Sequence, residues 1–425
     1  MQAVQHAQQI FTQAVHAVQP QALLPRFITI QNDQVFVAGK PIPPTASIYI
    51  AAAGKAAASM LLSAEQILGT RIQAGLAVTQ EIPAHTFTNM ELFKADHPTP
   101  GEASIAAGEK MRAFCEQLKE GDVLIFLLSG GASALLADVV EGVTLEDMQV
   151  LSKLLLRSGA NISEMNVVRK HLSYLKGGQL AKMVYPSTLF TLAISDVPGN
   201  DPSVIGSGPT VGDPSTIKDA LAVLKKYQLL DQVPASIATH LQEKNHETPF
   251  PSDIAFEHTF YQLIATNETA IQAAAEKASE LGYHVTVLQQ HFSGEARDLG
   301  QQFIEQAMAY DGATPACLLA GGESTVTVKG EGLGGRNQEM ALAAGLALHN
   351  TPGITILCAG TDGKDGPTDA AGAYASADIM TTMQNGASYL QANNAYPFFE
   401  QTGSLLKTGA THTNVMDLVV ILIAP

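Results

Sequence analysis

"ASIYIAAAGKAAASM", residues 46–60, holds a strand-length apolar run at 47–52, a glycine at 54 and the start of an Ala-rich helical pattern over 55–68. Strand, sharp turn and helix in that order form the repeating unit of an α/β protein. Lys55 is predicted in the first turn of the helix. A helix N-terminus already carries about half a positive charge, so an exposed cation there costs roughly 0.3–1 kcal/mol. Lys55 therefore either meets a phosphate or carboxylate held jointly with the helix end, or is a surface lysine solvated beyond the turn. It is not a Walker A lysine, because residue 56 is Ala and the GxxxxGK[ST] pattern is absent.

The same alternation continues to the end of the chain. Strands are predicted at 47–52, 74–79, 123–128, 189–195, 259–265, 283–288, 316–320, 324–329, 354–359 and 417–423. Helices are predicted at 2–18, 55–68, 102–119, 144–157, 215–227, 267–281, 293–309 and 337–348. This reads as α/β with largely parallel sheets. "FITIQNDQVFVAG" (27–39) reads as a small hairpin, and 316–320 and 324–329 as a second one joined by Gly-Gly-Glu. The polar, proline-bearing segment 243–253 is the expected linker, giving one domain over 1–245 and a smaller one over 255–425.

A chain of 425 residues exceeds one ordinary core, and 46% apolar residues can fill two. The formal net charge of −16 argues against nucleic-acid and anionic-membrane partners, which need basic surfaces. Cys115, Cys317 and Cys358 form no CxxC pair, so neither a disulfide framework nor a zinc site is signalled. The N-terminal twenty residues carry no Lys or Arg and do not read as a signal peptide, and no apolar run reaches membrane-spanning length. Cytoplasmic location is the expectation.

In open α/β sheets, ligands bind beyond the carboxyl ends of the strands, so the loops there carry the function. "LLSGGASALL" (127–136) places Ser129, Gly130, Gly131 and Ala132 in a turn and offers Ser133 as an N-cap. That loop either cradles an anion or is a tight capped turn. Asp196 ends a buried strand, with Asp201 five residues on. Asp196 and Asp362, each just after a strand, are candidate Mg²⁺ carboxylates or turn-formers. Gly330, Gly332 and Gly335 fit GxGxxG without a βαβ crossover before them or an acidic residue closing the next strand, so a dinucleotide site is weakly signalled. Arg336 repeats the Lys55 pattern, a cation at a helix start directly after Gly334 and Gly335. Arg169, Lys170 and Lys176 lie on a basic stretch that either adds field to the ligand cleft or forms a solvated helix face. Paired cations, Gly/Ser loops and strand-end aspartates are the parts that phosphoryl transfer needs.

The ordered segments "AAAGKAAASM", "HPTPGEAS" (97–104), "SGGASALL", "NVVRKHLSYLKGGQLA" (166–181), "SDVPGNDPSVIGSGPT", "GGESTVTV", "GGRNQEMALA" and "GTDGKDGPTDAAGA" resemble the motif series of the glycerate 2-kinase family across nearly the whole chain. The resemblance implies a Rossmann-like N-terminal domain and a smaller α/β C-terminal MOFRL domain. It implies ATP-dependent phosphorylation of D-glycerate at the 2-hydroxyl in an interdomain cleft, with Mg²⁺. By resemblance the essential Lys and Arg fall on Lys55 and Arg336 and the "SDV" acid on Asp196. Ser129 to Ser133, Gly334, Gly335 and Asn337 become nucleotide contacts. Departures are Ala132 for a usual Gly, "DVPGND" for "DVVGD", and Ala410, His412 and Met416 in the last loop. The partners implied are nucleotide and D-glycerate, with a homodimer as the possible assembly. The alternative activity is NAD(P)H-dependent reduction of hydroxypyruvate.

Overall fold

The computed structural model describes residues 2–243, 247–349, 351–381 and 385–425; positions 244–246 of the expected linker lie outside them. The chain forms two compact units. Leu24–Ile264 makes a continuous unit, and Met1–Leu23 with Ala265–Pro425 makes a split unit. This replaces the linear division at 245–255, for two reasons. The strand over 259–265, expected to open the second domain, extends the first unit's sheet. The helix Gln2–Ala17 buries Ala7, Ile10, Phe11, Ala14 and Val15 and packs against the helix Asn267–Glu280 of the split unit.

In the continuous unit, β1 (Ile28–Gln31) and β2 (Gln34–Val37) form the expected hairpin, which β3 (Lys40–Pro41) extends. The main sheet contains β4 (Ile48–Ala53), β5 (Ile72–Thr79), β6 (Met90–Lys94), β7 (Val123–Leu128), β8 (Thr188–Ile194) and β9 (Thr259–Ala265). Its order is β6-β5-β4-β7-β8-β9, and it is parallel from β6 through β8. Counted from its own first strand, that is 3-2-1-4-5-6, the Rossmann order, with the switch point between β4 and β7. Every residue of β7 is buried, which is why "VLIFLL" is apolar without alternation.

The split unit's sheet comprises β10 (His284–Glu295), β11 (Ala316–Thr325), β12 (Ile354–Gly360), β13 (Gly372–Ser376), β14 (Leu405–Leu406) and β15 (Asp417–Ile423). Their order is β10-β11-β15-β12-β13-β14. Only the β10–β11 pair is parallel; β15 runs antiparallel to both β11 and β12. The expectation of largely parallel sheets therefore holds for one unit and fails for the other. An apolar run such as "LVVIL" carries no sign of direction, so periodicity could not reveal this. The second predicted hairpin is also absent, because residues 316–325 form one strand. Gly321 allows close approach there rather than a turn, since a Cβ on it would lie 1.8 Å from Asn267 Oδ1.

The helices follow local rules: Thr144 with Asp147, Asn161 with Glu164 and Thr216 with Asp219 form reciprocal capping boxes. Among the described residues no helix is long and apolar enough to cross a membrane.

Candidate active site

The switch point of the continuous unit is built by the loops that leave β4 and β7. Ser129 N–H donates to Ala53 O at 3.0 Å, and Lys55 N–H donates to Gly130 O at 2.9 Å. Ala56 N–H donates to Ser129 Oγ at 3.1 Å. These bonds stitch the two loops together at the sheet's carboxyl edge. The helix begins at Ala57 with Ala56 as N-cap, so Lys55 stands in the turn ahead of the helix and not in its first turn. The helix-end penalty argued from sequence does not apply to it; what sets Lys55 apart is its place at the switch point.

The loop's hydroxyls are used internally. Ser129, 1% exposed, accepts from Ala56 and donates to Ala53 O at 3.5 Å. Ser133 is not the N-cap; Gly131 is, and Ser133 Oγ lies 2.8 Å from Ser207 Oγ. The donors left are backbone ones, because Gly130 and Gly131 N–H have no protein acceptor among the described residues. Paired backbone N–H groups in such a turn make an anion-binding concavity.

Three side chains converge on this turn. A Cβ on Gly130 would lie 1.8 Å from Asp196 Oδ2, and one on Gly131 would lie 3.0 Å from His97 Nε2 and 3.3 Å from Lys55 Cγ. Asp196 follows β8, His97 follows β6 and Lys55 follows β4, so loops after three parallel strands meet at one turn. His97 was absent from the site read off the sequence; its only signal was that it opens the "HPTPGEAS" motif. Gly130→Ala must displace the Asp196 carboxylate. The expected result is a fall in kcat of about tenfold or more with an unchanged melting temperature, measured by steady-state kinetics beside a thermal melt.

Arg336 is the first residue of the helix Arg336–Ala347, as expected. Its counter-ions, however, are built in. Nε donates to Asp417 Oδ2 at 2.6 Å, Nη2 to Asp417 Oδ1 at 3.0 Å, and Nη1 lies 2.7 Å from Glu323 Oε1. Asp417 is fully buried at the start of β15, level with Gly322 and Gly360 on its two neighbours. The helix N-terminus is likewise filled from within, since Asp365 accepts from Asn337 N–H at 3.1 Å and Gln338 N–H at 2.8 Å. Gly335 leaves room for it, because a Cβ there would lie 2.3 Å from Asp365 Oδ1. The inference that Arg336 lacks an anion is thus overturned. Asn337 is 1% exposed and faces Asp365. Sequence reading did not single out Asp417 or Glu323 as partners of Arg336; Asp417 sits in no Gly-rich loop, and Glu323 reads only as the end of a Gly-Gly-Glu turn.

Burial, with Asp417 nearby, pushes the Asp365 carboxyl up to about 7, against the pull of two N–H donors and Arg336. A carboxyl with a raised folded-state pKa binds more protons folded than unfolded. Its contribution is fully present below the unfolded value near 4 and is lost as pH rises through about 7, at no more than about 1.4 kcal/mol per pH unit. Asp365→Asn is expected to flatten the stability profile between pH 4 and 7, read by urea unfolding across that range.

The remaining sequence candidates separate. Asp362 Oδ1 accepts from Lys364 N–H at 3.0 Å within its turn, and Asp201 is an exposed turn residue that accepts from Ser203 N–H. Gly330 and Gly332 pack against residues 392–394, where Asn393 Oδ1 accepts from Lys329 and Gly330 N–H, so the GxGxxG run is a packed loop. The basic stretch is not a solvated face. Lys170 and Lys176 are buried, 3.5 Å from Asp213 Oδ1 and 3.6 Å from Asp138 Oδ1, and Arg169 lines a cavity. Among the described residues no three His, Cys, Asp or Glu side chains are grouped to hold a metal.

The family model DUF4147, described as a domain of unknown function, matches residues 6–242, and the MOFRL family model matches 316–417. The glycerate 2-kinase of Pyrococcus horikoshii is 35% identical over 97% of this chain and 95% of its own length. The chain belongs to the glycerate 2-kinase family. The D-glycerate 2-kinase of Thermotoga maritima is 38% identical over 88% of this chain and 90% of its own, and a T. maritima glycerate kinase crystal structure matches with a TM-score of 0.87, 35% identity and full coverage of both chains. An Agrobacterium vitis relative, 40% identical over 90% of this chain and 89% of its own, carries a provisional hydroxypyruvate reductase name. Within the glycerate 2-kinase family the parallel unit supplies the Rossmann-like sheet, and residues 316–417 of the split unit form the MOFRL part.

Proposed function

We propose that the chain transfers the γ-phosphoryl group of ATP to the 2-hydroxyl of D-glycerate, giving 2-phosphoglycerate and ADP. The observation that carries this reading is the turn at Gly130-Gly131. Two unused backbone N–H groups, Lys55 and Asp196 converge there at the switch point of a Rossmann-ordered sheet. Phosphoryl transfer asks for positioning and charge stabilisation rather than covalent chemistry, and these groups provide both.

In the proposed reaction the glycerate oxygen forms a bond to phosphorus as the bond to the ADP oxygen breaks. Asp196 accepts the hydroxyl proton or holds the metal. Lys55 and the N–H groups of Gly130 and Gly131 meet phosphoryl oxygens. Arg336 is oriented by Asp417 and Glu323 and has two of its five N–H donors left for substrate charge. Gly334, Gly335 and Asn337, at that helix start, are the further nucleotide contacts proposed. Mg²⁺ would supply charge neutralisation when bound, and Asp196 in the parallel unit and Asp362 in the split unit are each a candidate carboxylate for it. One or two carboxylates beside phosphate are the usual protein share for this ion. The acidic surface fits small-molecule partners and cytoplasmic work, with a homodimer as the proposed assembly.

The test mixes pure protein with Mg-ATP and D-glycerate and detects 2-phosphoglycerate by enolase coupling, which does not respond to the 3-phosphate. No enolase signal with ADP release absent rejects the proposal. Steady loss of 340 nm absorbance with NADH or NADPH and hydroxypyruvate supports the reductase reading instead.

A further inference from the structure

One cation of the continuous unit plays no part in the chemistry above. Arg169, in the last turn of the helix Ile162–Lys170, is half-buried, and its Nη2 donates to Ser152 Oγ at 3.4 Å. It forms no ion pair among the described residues, while its neighbour Lys176 is matched by Asp138. A guanidinium withdrawn from water without a counter-ion is costly unless a bound anion completes it. Burial alone lowers its pKa, in keeping with that missing partner.

Arg169 lines a cavity of about 420 Å³. Pro98, Ile105, Leu145 and Met148 contribute apolar walls, and Ser133 places the cavity beside the Gly130-Gly131 turn. Its volume lies in the range that encloses a small organic ligand, roughly 300–1,000 Å³. Glycerate bears a polar group on every carbon and has no use for apolar walls. A nucleotide has both halves of the match: a flat ring with apolar faces, and a phosphate chain.

We propose that this cavity holds the nucleoside part of the phosphoryl donor, a nucleoside 5′-di- or triphosphate, with Arg169 on the phosphate nearest the sugar. The proposal rests on the phosphoryl-transfer reading, whose acceptor it leaves open. The phosphate chain then runs from Arg169 past Ser133 to Gly130, Gly131 and Lys55, along one loop of the fold.

Isothermal titration of the full chain with ADP and with pyrophosphate tests it, using Arg169→Gln, Ser152→Phe to fill the cavity, and Ser152→Ala as the hydroxyl control. Expected are a Kd for ADP raised about tenfold or more by Arg169→Gln and by Ser152→Phe, with Ser152→Ala, which removes only the hydroxyl that meets Arg169, raising it by less than Ser152→Phe. Pyrophosphate should weaken only in Arg169→Gln. The KM for D-glycerate at saturating ATP should stay within about twofold in Ser152→Phe. Met148→Phe replaces Ser152→Phe if a thermal melt reports misfolding. ADP affinity unchanged by the filled cavity overturns the nucleoside placement, and affinity unchanged by Arg169→Gln overturns the phosphate contact. A raised glycerate KM with intact ADP binding assigns the cavity to the acid instead. If ADP binding responds as expected but wild type yields no 2-phosphoglycerate, the cavity proposal stands and the acceptor assignment fails.

Discussion

Lys55→Ala is expected to lower kcat with Mg-ATP and D-glycerate on the order of 10³-fold while the melting temperature stays within a few degrees of wild type. The separation follows from how the residue is held. Its backbone N–H donates to Gly130 O, and alanine keeps that bond. The side chain is half-exposed beside Gly131, so removing it opens no core cavity. Its side chain runs beside Gly131, in the same turn whose Gly130 faces the Asp196 carboxylate. Steady-state kinetics and a thermal melt on the same preparation check both halves. A variant that keeps wild-type kcat removes Lys55 from the mechanism, whatever else binds there.

Arg336→Ala is expected to cost both turnover and stability. Asp417 is fully buried and receives two N–H bonds from this guanidinium. Removing one partner of a buried pair strands the other charge, at a cost of about 3–5 kcal/mol when water is excluded. Arg336 is 34% exposed, so water reaches the vacated space and the lower end of that range is expected. Pairing Arg336→Ala with Asp417→Asn removes the stranded charge. In urea unfolding the double variant should recover at least half of the lost stability, while kcat remains low because the guanidinium is still missing. Activity restored along with stability would assign Arg336 a structural part only. Arg336→Lys keeps the charge but not the bidentate fork, and is expected to fall between the two.

Much of this molecule could be read before any coordinates. The strands that become β4, β5, β7 and β8 stand out as short apolar runs and most of the long helices by their periodicity, and the loops after β4, β7 and β8 do gather the residues singled out there. What escaped the sequence has physical causes. Strand direction leaves no mark on an apolar run, so the antiparallel entry of β15 was invisible, and with it the position of Asp417 between β11 and β12. Arg336 looked unpartnered because its partners lie 13 residues before it and 81 after it. The first helix was assigned to the wrong unit because an amphipathic stripe says that a helix is buried, never against what. Lys170 and Lys176 looked solvated because their acids, Asp213 and Asp138, sit on other segments.

The split unit ties the start of the chain to its end. His6 Nδ1 lies 2.8 Å from Tyr283 OH, Gln19 Nε2 donates to Thr411 O at 3.1 Å, and Thr413 Oγ1 donates to Val18 O at 2.6 Å. During synthesis, residues 2–17 are made well before residues 267–280, the helix against which they pack. Their apolar face goes without that helix through synthesis of the whole intervening unit. A circular permutant opened between 264 and 265, with residue 425 tethered to residue 2, would make that unit contiguous and spare it the delay.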